Sequence, residues 1–288
     1  MKSIVDVPAP AKLNLFLHVL GRRADGYHVI ESAFVLIDWH DTLHFELRSD
    51  GQMSRTDLGG VSLPPDDLTL AAGRALARKT GCTLGVHITL EKRIPLGAGL
   101  GGGSSDAAST LLALNQLWGL DLDIDTLQEI GAELGADVPF FLGGHNAWVQ
   151  GIGERLTPIR IPQQSFIVLK PPMGVDTAQV YAHPKLVRDH AHARLEDFLA
   201  DPFGFGTNDL QPVSEELCPQ VYTALSWLHA HGFAARMTGS GSAVFAVAHG
   251  EAVVDLPPDA YVLRMCSGLS MHPLSEWRLP ARRSHGSH

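Results

Sequence analysis

Cysteine is scarce: three in 288 residues, Cys82, Cys218 and Cys266, at wide and unpaired spacing. That spacing excludes a disulfide framework and a zinc cluster, and it fits a reducing compartment, so a cytoplasmic protein is expected. Long apolar runs are also missing. No stretch approaches the roughly 18 residues that a bilayer span requires, and the opening MKSIVDVPAP has no apolar core of a secretory leader. Positive charge is in deficit, with 22 Lys and Arg against 31 Asp and Glu, a net charge of −9. Such a field repels nucleic-acid phosphates at long range, and no basic block offsets it. Nucleic acid and membrane are therefore excluded as partners, and an anionic ligand has to be held by a local device. No coiled-coil pattern or large apolar stripe points to an assembly, and the sequence assigns no oligomeric state.

What is present is an ordinary globular composition, 45% hydrophobic and 18% charged, enough for one large domain or two moderate ones. Val5 to Leu20 reads as extended, with apolar and polar residues alternating from Leu13 to His18. A turn at Asp25-Gly26 leads to the strand VIESAFVLI, and DTLHFEL reads as a further strand. An amphipathic helix spans about Leu68 to Lys79 and is stopped by Gly81. VHITLEKRI is a strand, SSDAASTLLALNQLWG a helix ending at Gly119, and DIDTLQEIGAELG a helix capped by Asp123 or Asp125. Strand character resumes in GGHNAWVQGIGERLTPI and SFIVLKPP. Thr177 to Leu186 reads as helix, Arg188 to Asp209 as loop, and SEELCPQVYTALSWLHAHG as a helix broken or started at Pro219. AARMTGSGSAVFAVA is a strand, a glycine turn and a buried strand, AYVLRMCSG is a last strand, and LPARRSHGSH is a frayed tail. The pattern is α+β, with two domains meeting near residue 160.

The most informative segment is PLGAGLGGGSSDAAS. Gly97, Gly99, Gly101, Gly102 and Gly103 remove five side chains within seven residues, which lets backbone N–H groups approach an anion closely. Ser104 and Ser105 stand where the helix should begin, as candidate caps, and its unpaired N–H groups and positive end favour phosphate. A flexible linker would not sit between a strand and a well-formed helix. A Walker A loop is excluded, because no lysine occurs between Arg93 and Arg155. The dinucleotide pattern G-x-G-x-x-G matches at Gly97, Gly99 and Gly102, but the stretch that should be its second strand reads as a helix.

With these residues in place the sequence resembles the GHMP kinase superfamily, whose phosphate loop has the form P-x-G-x-G-L-G-S/G-S-S. PAPAKLNLFLHVLGRRADGYH near the N-terminus and MTGSGSAVFAV near the C-terminus agree in place and order, so the similarity runs from about Pro8 to Phe245. The resemblance implies a two-domain fold, with a ribosomal S5 domain 2-like ATP-binding domain over residues 1–160 and a ferredoxin-like substrate-binding domain over 161–288. It implies an ATP-dependent small-molecule kinase in which Pro95, Leu96, Gly97, Ala98, Gly99, Leu100, Gly101, Gly102, Gly103, Ser104 and Ser105 hold ATP. Mg²⁺ would arrive with the nucleotide; a loop serine is a candidate ligand, and no glutamate partner is identifiable. The GRRADGYH segment and the GGGSS form favour members whose alcohol acceptor carries cytidine diphosphate.

Residue by residue, Lys12 would read from its position alone as an edge lysine with its amine in water; the resemblance makes it face the acceptor hydroxyl and the γ-phosphate. Asn14 shares its face of the strand. Asp137, in LGADVPFFLGG, could cap a turn, and the resemblance makes it the general base. Tyr27 and His28 could be packing at a strand start; the resemblance assigns them to cytosine, one stacking and one hydrogen-bonding, with Phe34 and Tyr181 as further candidates for that pocket. Asp176 and Thr177 are candidates for the acceptor's polyol or phosphates. Thr238 to Ser242 is either a tight hairpin or a floor beneath the phosphates. His190 and His192, at i and i+2, have metal-ligand spacing on a strand, but in so charged a loop they read as a solvated face, and no protein metal site is assigned.

Overall fold

The computed structural model describes residues 2–60, 63–248 and 257–278. In chain order the strands and helices are β1 (Ser3–Arg22), β2 (His28–Arg48), β3 (Met53–Leu58), α1 (Leu68–Thr80), β4 (Gly85–Glu91), α2 (Gly102–Leu117), α3 (Ile124–Leu134) and α4 (Val138–Gly143). They continue as β5 (Ala147–Gly151), β6 (Arg155–Pro158), β7 (Ser165–Lys170), α5 (Thr177–Ala182), α6 (Leu195–Ala200), α7 (Gln211–Leu217), α8 (Pro219–Ala230), β8 (Arg236–Met237), β9 (Val244–Ala248) and β10 (Val262–Leu269). No helix among the described residues is long and apolar enough to cross a membrane.

β2 organises the first half. VIESAFVLI and DTLHFEL, expected as separate strands, are one 21-residue strand, because Asp38 to Asp41 stay extended. β1 runs antiparallel along one edge of β2. The other edge takes β5 at residues 30–34, the end of β10 at Ile37 and Leu36, and β4 at residues 42–48. β3, which the sequence did not announce, pairs in parallel with β4. α1, α2, α3 and α4 cover one face, where Phe45, Leu76, Leu111, Leu114 and Phe141 share a core with Ala9 and Phe34. α1 starts at an Asp67 cap and ends at Gly81 in the left-handed region, as the helix signals required.

The second sheet has the order β10-β7-β9-β8, all antiparallel. Numbered within this half that is 4-1-3-2, the order of a ferredoxin-like sheet. α8 packs against it through Val221, Ala224, Leu225 and Leu228. The SEELCPQVYTALSWLHAHG helix is indeed broken before Pro219, into α7 and α8. Within the expected loop from Arg188 to Asp209 lies α6, whose Phe198 is fully buried against Phe16 and Trp148. β10 joins the halves: residues 262–267 pair with β7, and Gly268 and Leu269 with β2. We place the division between the halves at residue 160, with one return crossing: after Gly268 the chain packs on the first core through Leu274 and Trp277. The frayed tail read from Leu279 onward lies outside the described residues.

A third core sits between the two sheets. Leu13, Leu15 and Phe16 of β1 meet Phe166, Phe245 and Phe198 there. β1 is therefore buried on both faces from Ala9 to Val19, and not on one face as the alternation suggested. The consequence is chemical: Lys12, Asn14 and His18 are buried polar groups, and their hydrogen bonds must come from the protein.

Candidate active site

The glycine loop takes its shape from alternation. Gly97, Gly99 and Gly101 have φ of 59°, 73° and 72°, in the left-handed region, while Ala98 and Leu100 between them are buried in the core shared by both sheets. Alternating backbone hand turns successive N–H groups to one side and makes an anion nest. The loop is pinned at three points: Lys12 N–H donates to the Leu100 carbonyl at 2.9 Å, Ser242 N–H to Gly97 at 3.2 Å and Ala243 N–H to Ala98 at 3.1 Å. The Thr238–Ser242 turn thus forms a floor under the loop, and a β-carbon on Gly99 would overlap the Thr238 carbonyl oxygen.

One expectation is corrected here. Ser104 and Ser105 do not cap α2. The helix begins at Gly102, with Gly101 in the cap position and no side-chain cap bond. Left-handed Gly101 already offers its carbonyl to Ser105 N–H at 2.9 Å, so the first turn closes before either serine. The amides of Gly102, Gly103 and Ser104 are the ones left open at the positive end of the helix. Ser104 lines the loop's cavity, of about 210 Å³, together with Pro95 and Leu96. Ser105 is buried, and its hydroxyl has no hydrogen-bond partner among the described residues.

A larger cavity of about 610 Å³ lies on the other side of the loop, and Gly97, Gly99 and Gly101 line both. Lys12, Asn14, Tyr27, His28, Phe34, Asp137 and Tyr181 all face it, from β1, β2, the start of α4 and α5. Lys12 Nζ donates to Asn14 Oδ1 at 2.6 Å, lies 3.3 Å from Asp137 Oδ2 and sits 4.3 Å from the centre of the Phe34 ring. Asn14 is held in turn: its Nδ2 donates to Ser32 Oγ at 3.0 Å, and its backbone N–H donates to Thr238 Oγ1 at 2.9 Å. Asp137 occupies the cap position of α4 but makes no cap bond, so its carboxylate is free to face the cavity. Its side chain is 28% exposed against 5% for Lys12. An ammonium fixed by a strand and a carboxylate left partly open form an ion pair that a hydroxyl can enter.

At the mouth, Tyr27 is 60% exposed. The rings of His28 and Tyr181 lie 4.9 Å apart, tilted by 34°. Burial raises the Tyr181 phenol, with the Asp137 carboxylate adding to the effect, and burial lowers His28, with Arg188 and Arg22 adding. Thr177 lines the cavity and its hydroxyl bonds Ser240 Oγ at 2.7 Å, whereas Asp176 caps α5.

Two neighbours, Lys92 and Arg188, carried no sequence signal. Lys92, just before the lysine-free stretch, lines the loop cavity, but its ammonium is bound to Asp41 at 2.5 Å and Asp106 at 2.7 Å. Burial disfavours charged Lys92, yet the two carboxylates hold its pKa above the ordinary value. Arg188 bonds His28 from the supposed loop. His190 is not a solvated residue: it pairs with Asp209 at 3.0 Å and stacks on His18 at 3.6 Å. His192 is exposed but donates to the buried Glu31 carboxylate at 2.9 Å. Among the described residues no group of three or more His, Cys, Asp or Glu gathers as metal ligands.

A phosphate nest between two cavities, one holding a lysine–aspartate pair, is the arrangement of a small-molecule phosphotransferase. Sequence models of the GHMP kinase N-terminal and C-terminal domains match residues 67–145 and 185–256. The chain belongs to the GHMP kinase family. It is 58% identical, over 96% of this chain and 98% of the relative, to the 4-diphosphocytidyl-2-C-methyl-D-erythritol kinase of Delftia acidovorans. It is 55% identical to that of Albidiferax ferrireducens, with both chains covered in full. A solved structure of 4-(cytidine 5'-diphospho)-2C-methyl-D-erythritol kinase superposes with a TM-score of 0.74 at 34% identity, over 91% of this chain and 98% of that one. A homoserine kinase from Cytophaga hutchinsonii shares the fold, with a TM-score of 0.69 at 17% identity over 94% and 96% of the two chains.

Proposed function

We propose that this chain is an ATP-dependent kinase that phosphorylates the 2-hydroxyl of 4-diphosphocytidyl-2-C-methyl-D-erythritol, a step in isoprenoid precursor synthesis by the non-mevalonate route. The observation that carries the reading is the Lys12–Asp137 pair, 3.3 Å apart, in a cavity that shares its glycine wall with the phosphate loop. Residues 95–105 hold the ATP phosphates on one side of that wall. On the other, Tyr27 stacks on the cytosine of the acceptor, with His28 and Tyr181 completing the base site and Asn14 and Phe34 holding Lys12 from below.

The acceptor hydroxyl gives its proton to Asp137 as its oxygen bonds to the γ-phosphorus, and the bond from that phosphorus to the β,γ-bridging oxygen breaks to release ADP. An ordinary aspartate is too weak a base to ionise an alcohol beforehand, so proton loss accompanies transfer. Lys12 pairs with the Asp137 carboxylate and stabilises the charge on the transferring oxygens. Most of the work is positioning, as phosphoryl transfer generally requires. Mg²⁺ would arrive with the nucleotide and neutralise phosphate charge, and Ser104, which lines the loop cavity, would be its candidate protein ligand.

ATP consumption is the test, measured with the cytidine-diphosphate-linked acceptor, mevalonate or homoserine. Turnover with the first alone, and a phosphorus resonance for a phosphomonoester on its C2 oxygen, are expected. Turnover with either of the other two, or with none, overturns the assignment.

A further inference from the structure

The segment from Arg188 to Asp209 reaches the base site through one side chain. Arg188 Nη1 donates to the Leu186 carbonyl at 2.9 Å, and Nη2 donates to the carbonyls of Tyr181 and His183 at 2.8 and 2.9 Å. Nε donates to His28 Nε2 at 3.0 Å. A guanidinium carries only donors and stays charged. The bond therefore runs one way, and His28 Nε2 is the bare, accepting nitrogen. A protonated ring would present N–H on both nitrogens and could not accept it, so the ring is neutral and its single proton is on Nδ1. That nitrogen makes no hydrogen bond among the described residues, and the ring lines the large cavity beside Tyr27 and Tyr181.

We propose that Arg188 is a positioning residue that fixes His28 as the neutral Nδ1–H tautomer, a one-way hydrogen-bond donor aimed at an acceptor atom on the edge of the bound base. The three carbonyl bonds hold the guanidinium, and through it the end of α5, so the Nε–H is presented at a set angle. The charged groups acting on the ring are Arg188 and Arg22; both cations, with burial, oppose a second proton. The specificity half of the proposal rests on the cytosine reading above. Cytosine offers N3 and O2 as acceptors, whereas uracil places an N–H at position 3, which a fixed donor opposes.

The test begins without substrate. Long-range proton–nitrogen NMR on the whole protein, with His28 assigned through its loss in His28→Gln, should show a neutral Nδ1–H ring across the range where ordinary histidine titrates. An Nε2–H ring, or an imidazolium at neutral pH, overturns the proposal. In Arg188→Gln and Arg188→Lys the Nδ1–H population should fall and the ring should titrate nearer the ordinary range. The acceptor KM should then rise about tenfold, and more at acid pH than at alkaline pH, with kcat and the ATP KM little changed. A purely structural Arg188 would raise KM equally at all pH values and leave the tautomer alone, which overturns the proposal. If either variant fails to fold, the wild-type tautomer still decides. Wild type should also prefer the cytosine acceptor to its uracil analogue, and Arg188→Gln should narrow that preference. A lost tautomer with unchanged base preference removes the specificity half and locates the failure in the cytosine reading.

Discussion

Lys12 Nζ stands 3.3 Å from Asp137 Oδ2, and the two come from opposite sides of the glycine loop in sequence. The lysine is the fixed partner, held by Asn14 and by the ring of Phe34 on a strand buried on both faces. The aspartate is the accessible one. Asp137→Asn keeps the shape of the site and removes the proton acceptor, so kcat should fall by roughly two or more decades while the ATP KM changes little. Lys12→Met should lower kcat comparably, and the double variant should fall little below either single one, because the pair acts as a unit. Steady-state kinetics over the four proteins checks this; near-normal turnover in Asp137→Asn sinks the base assignment.

Tyr27 is the exposed ring at the cavity mouth, and its hydroxyl makes no hydrogen bond among the described residues. Stacking on a base contributes roughly 1–3 kcal/mol. Tyr27→Ala should therefore raise the acceptor KM by about tenfold or more, and Tyr27→Phe should stay near wild type. The ATP KM should not move in either variant, and stability should be unchanged, since little packing is lost. Equal acceptor KM values for the alanine and wild-type enzymes would remove Tyr27 from the base site.

Much of this site was legible because its parts are local. The alternating glycines, the Asp25-Gly26 turn and the spacing of Lys12 and Asn14 are each read within a few residues. The long-range parts were not. Nothing near Arg188 announces His28, 160 residues away, and Lys92 meets Asp41 only because β4 lies against β2. β3 was missed because MSRTDL is polar and largely half-buried, with only a parallel edge pairing to define it. The alternation on β1 predicted a strand correctly but not its burial, because the second face is covered by a sheet that begins only at Ser165. The serine caps failed for a local reason: a left-handed glycine started the helix first.

The glycines of the loop separate packing from ligand contact. A β-carbon on Gly99 would overlap the Thr238 carbonyl in a left-handed backbone, so Gly99→Ala should lose roughly 2–5 kcal/mol of stability in urea denaturation. Gly103 has ordinary helical backbone, and a β-carbon there would only touch Leu68 at 3.7 Å. Gly103→Ala should be as stable as wild type or more so, by up to about 1 kcal/mol, as alanine favours helix. Its ATP KM should nevertheless rise severalfold, because the added methyl stands beside amides that the phosphates approach. A stable Gly103→Ala enzyme with an unchanged ATP KM would place the nucleotide elsewhere.

Asp106 gives the last prediction, which concerns pH. Asp41 is the better satisfied of the two carboxylates on Lys92, since it also accepts the Arg93 and Ile94 amides at 2.5 and 2.8 Å. Asp106 Oδ1 has no hydrogen-bond partner among the described residues, and burial, with Asp41 adding to it against the pull of Lys92, raises its pKa to about 8. Below about pH 4 the carboxyl is protonated in both folded and unfolded chains and contributes nothing to pH dependence. At higher pH the unfolded chain releases the proton while the folded protein keeps it, so stability falls as pH rises, until the folded value is passed. His18 and His272, lowered to about 4 chiefly by burial, act in the opposite sense, but only below the ordinary histidine range. Asp106→Asn removes the carboxyl term alone. The variant's stability relative to wild type should therefore improve by on the order of 1 kcal/mol between about pH 7 and pH 9. A constant difference across that window, in paired denaturation curves, would mean that Asp106 is already ionised against Lys92 at neutral pH.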